Sequence, residues 1–247
     1  MNMRFTGTKC LIVGGTCDMA LTLAPKMILS GLFPIMTFRS ESGQKKLESR
    51  LGDFEGKYAA EYLDLDRVHS IGQSFETIEN KLDYLVDFAQ DDLEGLIAAT
   101  DAQRVQSFFE ASLNNRTIMI KTAARAMLTQ KKGRMVYVSS TAAARQSPGQ
   151  GFYAAAKNGA ESLYNAVGIE LASKGITTIC VRPGYVDAGR AKSFIEKHEQ
   201  RIMDQIPIKR MLSCEEIADV ILFLLTDSAS GINATSITMD GGMSAVK

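Results

Sequence analysis

The chain has no tryptophan, two histidines, four cysteines and five prolines in 247 residues, and its 28 basic residues are balanced by 28 acidic ones. Each shortage excludes something. A formal net charge of zero leaves no electrostatic case for binding nucleic acid or an anionic membrane. Cys10, Cys17, Cys180 and Cys214 are scattered without CxxC spacing. That scatter speaks against a disulfide framework or zinc site and for reduced thiols in a cytoplasm. Cys10 and Cys180 fall in predicted strands, where cysteine is ordinarily a small buried hydrophobe. No apolar run approaches the ~18 residues of a membrane span. The N-terminal MNMRFTGTKCLIV has no long apolar stretch ending in a cleavage site, so a cytoplasmic protein is expected. Repeats, low-complexity tracts and linkers are missing too, and residues 1–247 read as one domain.

Short apolar runs alternating with helical patterns fill the chain. KCLIV, FPIMTF, YAAEYLDL, LDYLVDFA, GRMVYVSS, ITTICVRPG and TSITMDGG read as strands. MALTLAPKMILSG, the long segment from Asp101 to Gln130, YAAAKNGAESLYNAVGIELASKG and CEEIADVILFLL read as helices, with Gly175 a C-terminal stop. Continuously apolar strands alternating with helices imply a parallel sheet covered on both faces. Right-handed crossovers then give an α/β, doubly wound, Rossmann-like domain of about seven strands. Pro25 resists the pattern, since proline inside a helix costs ~3 kcal/mol. Either the first helix kinks there or it begins later.

Tyr153 and Lys157 stand four apart on a predicted helix and share a face. Alone the pair is weak evidence, and a surface pair is the plain alternative. Ser140 ends a buried strand thirteen residues before Tyr153, and ends of parallel strands face the ligand crevice of such sheets. Asn114 lies in the long helix before that strand. A free phenol titrates near ~10, and a neighbouring ammonium favours its phenolate. Ser140 can polarise a carbonyl. With no clustered metal ligands and no catalytic histidine evident, this is proton-handling chemistry for carbonyl reduction or alcohol oxidation.

In this order and spacing Asn114, Ser140, Tyr153 and Lys157, with RPGYVD and MDGG further on, resemble the short-chain dehydrogenase/reductase family nearly end to end. KKGRMVYVSS, GQGFYAAAKNGAESL and ELASKGIT look most like its β-ketoacyl-acyl-carrier-protein reductases, enzymes of fatty acid or polyketide synthesis. The resemblance implies a catalytic tetrad of those four residues, a nicotinamide cofactor, a β-ketoacyl thioester of carrier protein or CoA as substrate, and a homotetramer. In that tetramer the helix from Tyr153 to Ser173 forms one contact. A small-ketone reductase or secondary-alcohol dehydrogenase is the alternative within the family. A weakly active scaffold subunit, in a hetero-oligomer with a homologous reductase, is the alternative outside it. Lys131 and Lys174 match positions that dock an acidic carrier beside the cleft; plain solvated lysines are the other reading.

The cofactor residues implied by the resemblance are Gly14, Thr16, Asp18 and Met19 in the first turn, Arg39 and Ser40 after the second strand, and Asp64 and Leu65 after the third. Ala89 follows the fourth strand, Pro183, Gly184 and Val186 follow the sixth, and Tyr153 and Lys157 complete the set. Three departures stand out. The fingerprint Thr-Gly-x-x-x-Gly-x-Gly becomes VGGTCDMA, keeping Gly14 for the tight turn but placing Asp18 beside a pyrophosphate. Asp18 is expected to cap the helix and turn its charge away. Asn-Asn-Ala-Gly becomes Asp87-Phe88-Ala89-Gln90, which puts that loop in question. Ala188 replaces a threonine that bonds the carboxamide, a task left to Val186 backbone groups. No acid ends the second strand, and Arg39 suits a 2′-phosphate, so NADPH (NADP+) is the expected cofactor. The charged stretch from Asp187 to about Pro207, long for a connection, is expected to close over substrate.

Overall fold

A computed structural model describes residues 3–78, 81–189 and 192–246, with backbone alone at 192–196. Seven parallel strands form one sheet: β1 (Lys9–Val13), β2 (Phe33–Phe38), β3 (Ala59–Tyr62), β4 (Tyr84–Asp87), β5 (Gly133–Val138), β6 (Ile176–Pro183) and β7 (Thr235–Met239), in the order β3-β2-β1-β4-β5-β6-β7. The doubly wound expectation holds. The order reverses between β1 and β4, and the crevice at that switch point, outside the strands' C-terminal ends, is where such sheets take ligands.

The helices are α1 (Asp18–Leu29), α2 (Glu41–Leu51), α3 (Val68–Thr77), α4 (Ala102–Phe109), α5 (Arg116–Gln130), α6 (Gly151–Leu171), α7 (Lys192–Gln205) and α8 (Cys214–Leu224). Alternate residues of each central strand enter opposite cores, as a sheet covered on both faces requires. Cys10 and Ile12 pack with α1, α2 and α8, whereas Leu11 and Val13 pack with α3, α5 and α6. No helix among the described residues is long and apolar enough to cross a membrane.

Pro25 does not delay the first helix, which starts at Asp18 and runs through it. Ala20, Leu21, Leu23, Ala24 and Met27 are buried along that helix, and burying a large apolar side chain is worth about 1.5–3 kcal/mol. Tertiary burial thus outweighs the proline penalty. The segment from Asp101 to Gln130 is helical throughout but not uniform: Glu110–Asn115 forms a π-helical turn between α4 and α5. Such turns are frequent at functional sites. The stretch after Asp187 is no open connection either. Residues 192–205 form α7, broken at His198 (φ −130°), and its Ile202, with Ile206 just beyond its end, is buried against Tyr185, Met211 and Met243. Residues 190 and 191, within that stretch, lie outside the described residues.

Candidate active site and nucleotide crevice

The catalytic candidates gather at the C-terminal end of β5. Lys157 on α6 is buried, and its Nζ donates to the carbonyl of Val138, the last residue of β5, at 2.8 Å. The same ammonium lies 5.8 Å from the ring centre of Tyr153, one turn earlier. Tyr153 is half-buried. Ser140 lies two residues beyond the end of β5, and its Oγ accepts the Ala142 N–H at 3.2 Å to cap a short turn, Thr141–Ala143. Asn158 on α6 donates to the carbonyl of Ala143 at 3.0 Å. That bond ties the helix carrying Tyr153 to the turn carrying Ser140.

Asn114 is not part of this cluster. It is exposed, and its amide donates to Glu110 Oε2 at 2.8 Å. The π-helical turn rotates the helix face, so Ser112 and Asn115 point inward and Asn114 outward. The tetrad implied by the resemblance is therefore not assembled at Asn114. Lys157 is instead backed by Tyr137, whose ring centre is 4.9 Å from Nζ. Tyr137 stacks on Tyr164 with centroids 4.9 Å apart. Burial raises the phenols of both well above their ordinary range. Tyr137 was invisible as a site residue, because an aromatic in a strand reads as core.

The residues expected to hold the nucleotide follow the C-terminal ends of β1, β2, β3, β4 and β6. Gly14 adopts φ +74°, and a Cβ there would meet the Ala89 backbone nitrogen at 2.8 Å, so the first glycine of the fingerprint is required. Its N–H donates to Thr37 Oγ1 at 3.0 Å. Thr16 and Met19 flank the start of α1, Met19 packed on the core. Cys17, not Asp18, occupies the N-cap position, and it makes no side-chain cap bond. Asp18 is the first helical residue, one position past the cap from which a side chain accepts the free N–H groups of the first turn. Its Oδ1 pairs with Lys46 Nζ at 3.2 Å and its Oδ2 accepts the Gly189 N–H at 3.1 Å. The expected cap is therefore corrected to a tie between α1, α2 and the loop after β6. Lys46, which also donates to the Thr16 carbonyl at 2.9 Å, was missed from the sequence; a lysine on an exposed helix carries no signal.

The Asp87–Gln90 segment is held by buried polar contacts. Asp87 and Arg116 are both fully buried and form an ion pair; Tyr164 donates to Asp87 Oδ2 at 2.9 Å, and Asp87 Oδ1 accepts the Ala89 N–H at 3.0 Å. Arg116 also donates to the Ala89 carbonyl and, at 3.0 Å, to the Ser112 carbonyl. Although burial opposes its charge, Asp87 and the surrounding oxygens hold the Arg116 guanidinium above its usual range. An acid ending a buried strand is itself a sequence signal that a cation must lie opposite.

Arg39 pairs with Asp91, and Ser40 caps α2 by accepting the Gly43 N–H at 3.1 Å. Asp64 Oδ1 accepts the Asp66 N–H at 3.1 Å. The carbonyl of buried Leu65 accepts from Asn115 at 2.7 Å, which fastens that loop to the π-helical turn. Pro183 ends β6 and Gly184 donates to the Met239 carbonyl at 2.8 Å. Val186 bridges to Leu212, and its carbonyl accepts the Ala188 N–H at 2.8 Å. Lys131 and Lys174 lie elsewhere: they precede β5 and β6, at the end of the strands opposite Ser140 and Tyr153. Within this chain they are not beside the cleft, since entry to a strand and exit from it are its full length apart.

A nicotinamide dinucleotide fits what is present. The glycine turn admits close backbone approach, α1 presents an N-terminus without a side-chain cap, and a buried lysine at the end of β5 would supply a cation to the cofactor's ribose.

The chain belongs to the short-chain dehydrogenase/reductase family: the family described as enoyl-(acyl carrier protein) reductase matches residues 18–244. It is therefore an oxidoreductase of a family that uses nicotinamide nucleotides. The chain is 27% identical over 244 residues to the 3-oxoacyl-acyl-carrier-protein reductase FabG of Buchnera aphidicola, covering 98% of this chain and 99% of that protein. It is 28% identical to the FabG of Pseudomonas aeruginosa at the same coverage. A solved short-chain dehydrogenase/reductase family protein superposes with TM-score 0.88 at 25% identity, covering 100% of both chains.

Proposed function

We propose that this single-domain chain reduces a β-ketoacyl thioester, carried on acyl carrier protein or CoA, to the hydroxyacyl product with NADPH. The observation that carries the reading is the pairing of Tyr153 and Lys157 one turn apart on α6, with the ammonium buried against the end of β5 next to Ser140. The full-length similarity to the two FabG proteins supports the thioester. The cofactor, when bound, supplies a hydride to the carbonyl carbon. Ser140 donates a hydrogen bond to the carbonyl oxygen and orients it. Tyr153 gives its phenolic proton to that oxygen as negative charge develops. A free phenol is a poor acid near neutrality, with a pKa of ~10, and the Lys157 ammonium stabilises the phenolate left behind. The carbonyl of Val138 fixes that ammonium. Arg39 is the residue for the 2′-phosphate, as the cation nearest the end of β2.

A substrate panel tests this reading. β-Ketoacyl thioesters, trans-2-enoyl thioesters, small ketones and secondary alcohols are each offered with NADPH and NADH. The expected result is fastest turnover of a β-ketoacyl thioester with NADPH. Turnover confined to enoyl thioesters or to small ketones contradicts it.

A further inference from the structure

We propose that Asp91 sets the balance between NADPH and NADH, by occupying the Arg39 guanidinium that the 2′-phosphate would need. The inference rests on the assignment of Arg39 made above. Arg39 is not a waiting cation. Its Nη1 donates to Asp91 Oδ2 at 3.0 Å and its Nη2 lies 3.0 Å from Asp91 Oδ1, so both terminal nitrogens face one carboxylate. Asp66 stands 3.8 Å from Nη1 as well.

Asp91 reaches this place through the same segment whose sequence departs from its family. Gln90 Nε2 donates at 3.0 Å both to the Asp91 carbonyl and to Ser112 Oγ. One residue back, Arg116 grips the Ala89 carbonyl while paired with Asp87. The substitutions that seemed to weaken the loop thus hold an acid against the arginine after β2.

The electrostatic consequence is direct. A phosphate monoester carries a charge of roughly −1.5 to −2 near neutrality. To bind one, Arg39 must release Asp91 or accept two anions side by side, and like charges in contact disfavour binding. A ribose 2′-hydroxyl is a donor as well as an acceptor, so a carboxylate can take its proton end with Arg39 left in place. Sites that prefer NADH place an acid after the second strand; here the fourth strand's loop supplies it. The pair lowers NADPH affinity and admits NADH.

The test is equilibrium binding of NADPH and NADH, by fluorescence titration, to wild type, Asp91→Asn, Arg39→Gln and the double variant. Asp91→Asn should tighten NADPH by at least about fivefold, while NADH is unchanged or weakened, and the gain should disappear when Arg39 is already glutamine. The proposal is overturned if both nucleotides shift together, if neither shifts, or if the gain survives in the double variant, since Asp91 would then act through the loop alone. Binding of neither nucleotide to wild type would remove the nicotinamide reading and this proposal with it. That result is distinct from binding with unmoved selectivity.

Discussion

Asp18 shows how far one residue can be judged before its neighbours are known. Beside a pyrophosphate a carboxylate is repulsive, and a capping role would have excused it. Its real partners are Lys46 and the Gly189 N–H, so the charge is matched rather than turned away. The consequence is opposite to that of a cap. Asp18→Asn keeps an acceptor for Gly189 but releases the Lys46 ammonium beside the open N-terminus of α1. NADPH should then bind about fivefold tighter at low ionic strength, the scale of one charge at a helix terminus. The gain should shrink as salt rises, because both groups are partly exposed to solvent. A titration at two salt concentrations checks it, and unchanged affinity at low salt would contradict the assignment. Asn114 carries a similar lesson. Its type and position fit a motif, yet one π-helical turn decides which side chains face inward.

Among the elements, the strands were the most legible. KCLIV and FPIMTF match β1 and β2 residue for residue, because buried parallel strands are unbroken apolar runs with sharp ends. Gly175, in the left-handed region at φ +77°, ends the helical stretch where its sequence position indicated. β3 was over-read: it spans only Ala59–Tyr62 at the sheet edge, and Leu63 and Leu65 are buried as loop residues rather than strand. The π-helical turn was not legible, since it preserves the helical pattern on either side. Asp87 at the end of a buried strand signals a cation, but not that it is Arg116, 29 residues away in sequence. That pair links β4 to α5 and governs the loop at Ala89. Asp87→Ala leaves a buried guanidinium without its carboxylate, and should cost about 3–5 kcal/mol in urea unfolding. Combining it with Arg116→Met should cost much less than the sum of the two single changes, because the uncompensated charge is gone. Additive losses would show that the two residues act independently.

Across the whole molecule, the topology converts scattered sequence positions into one crevice. Gly14, Arg39, Ala89, Ser140 and Gly184 follow five different strands, yet all lie at the C-terminal ends of those strands in one parallel sheet. That convergence was legible, because parallel topology requires it. What escaped was the pairing of charged groups across the crevice: Arg39 with Asp91 and Asp18 with Lys46. Charged residues on loops and exposed helix faces carry no periodicity to read. The central claim is that Tyr153 is the proton donor and Lys157 both tunes it and helps hold the nucleotide. The measurement that tests it most directly is NADPH-dependent reduction of a β-ketoacyl thioester by wild type, Tyr153→Phe and Lys157→Ala, with nucleotide affinity determined for each. Tyr153→Phe should abolish turnover with NADPH affinity nearly unchanged, and Lys157→Ala should damage both. Retention of a substantial fraction of kcat by Tyr153→Phe would contradict the account.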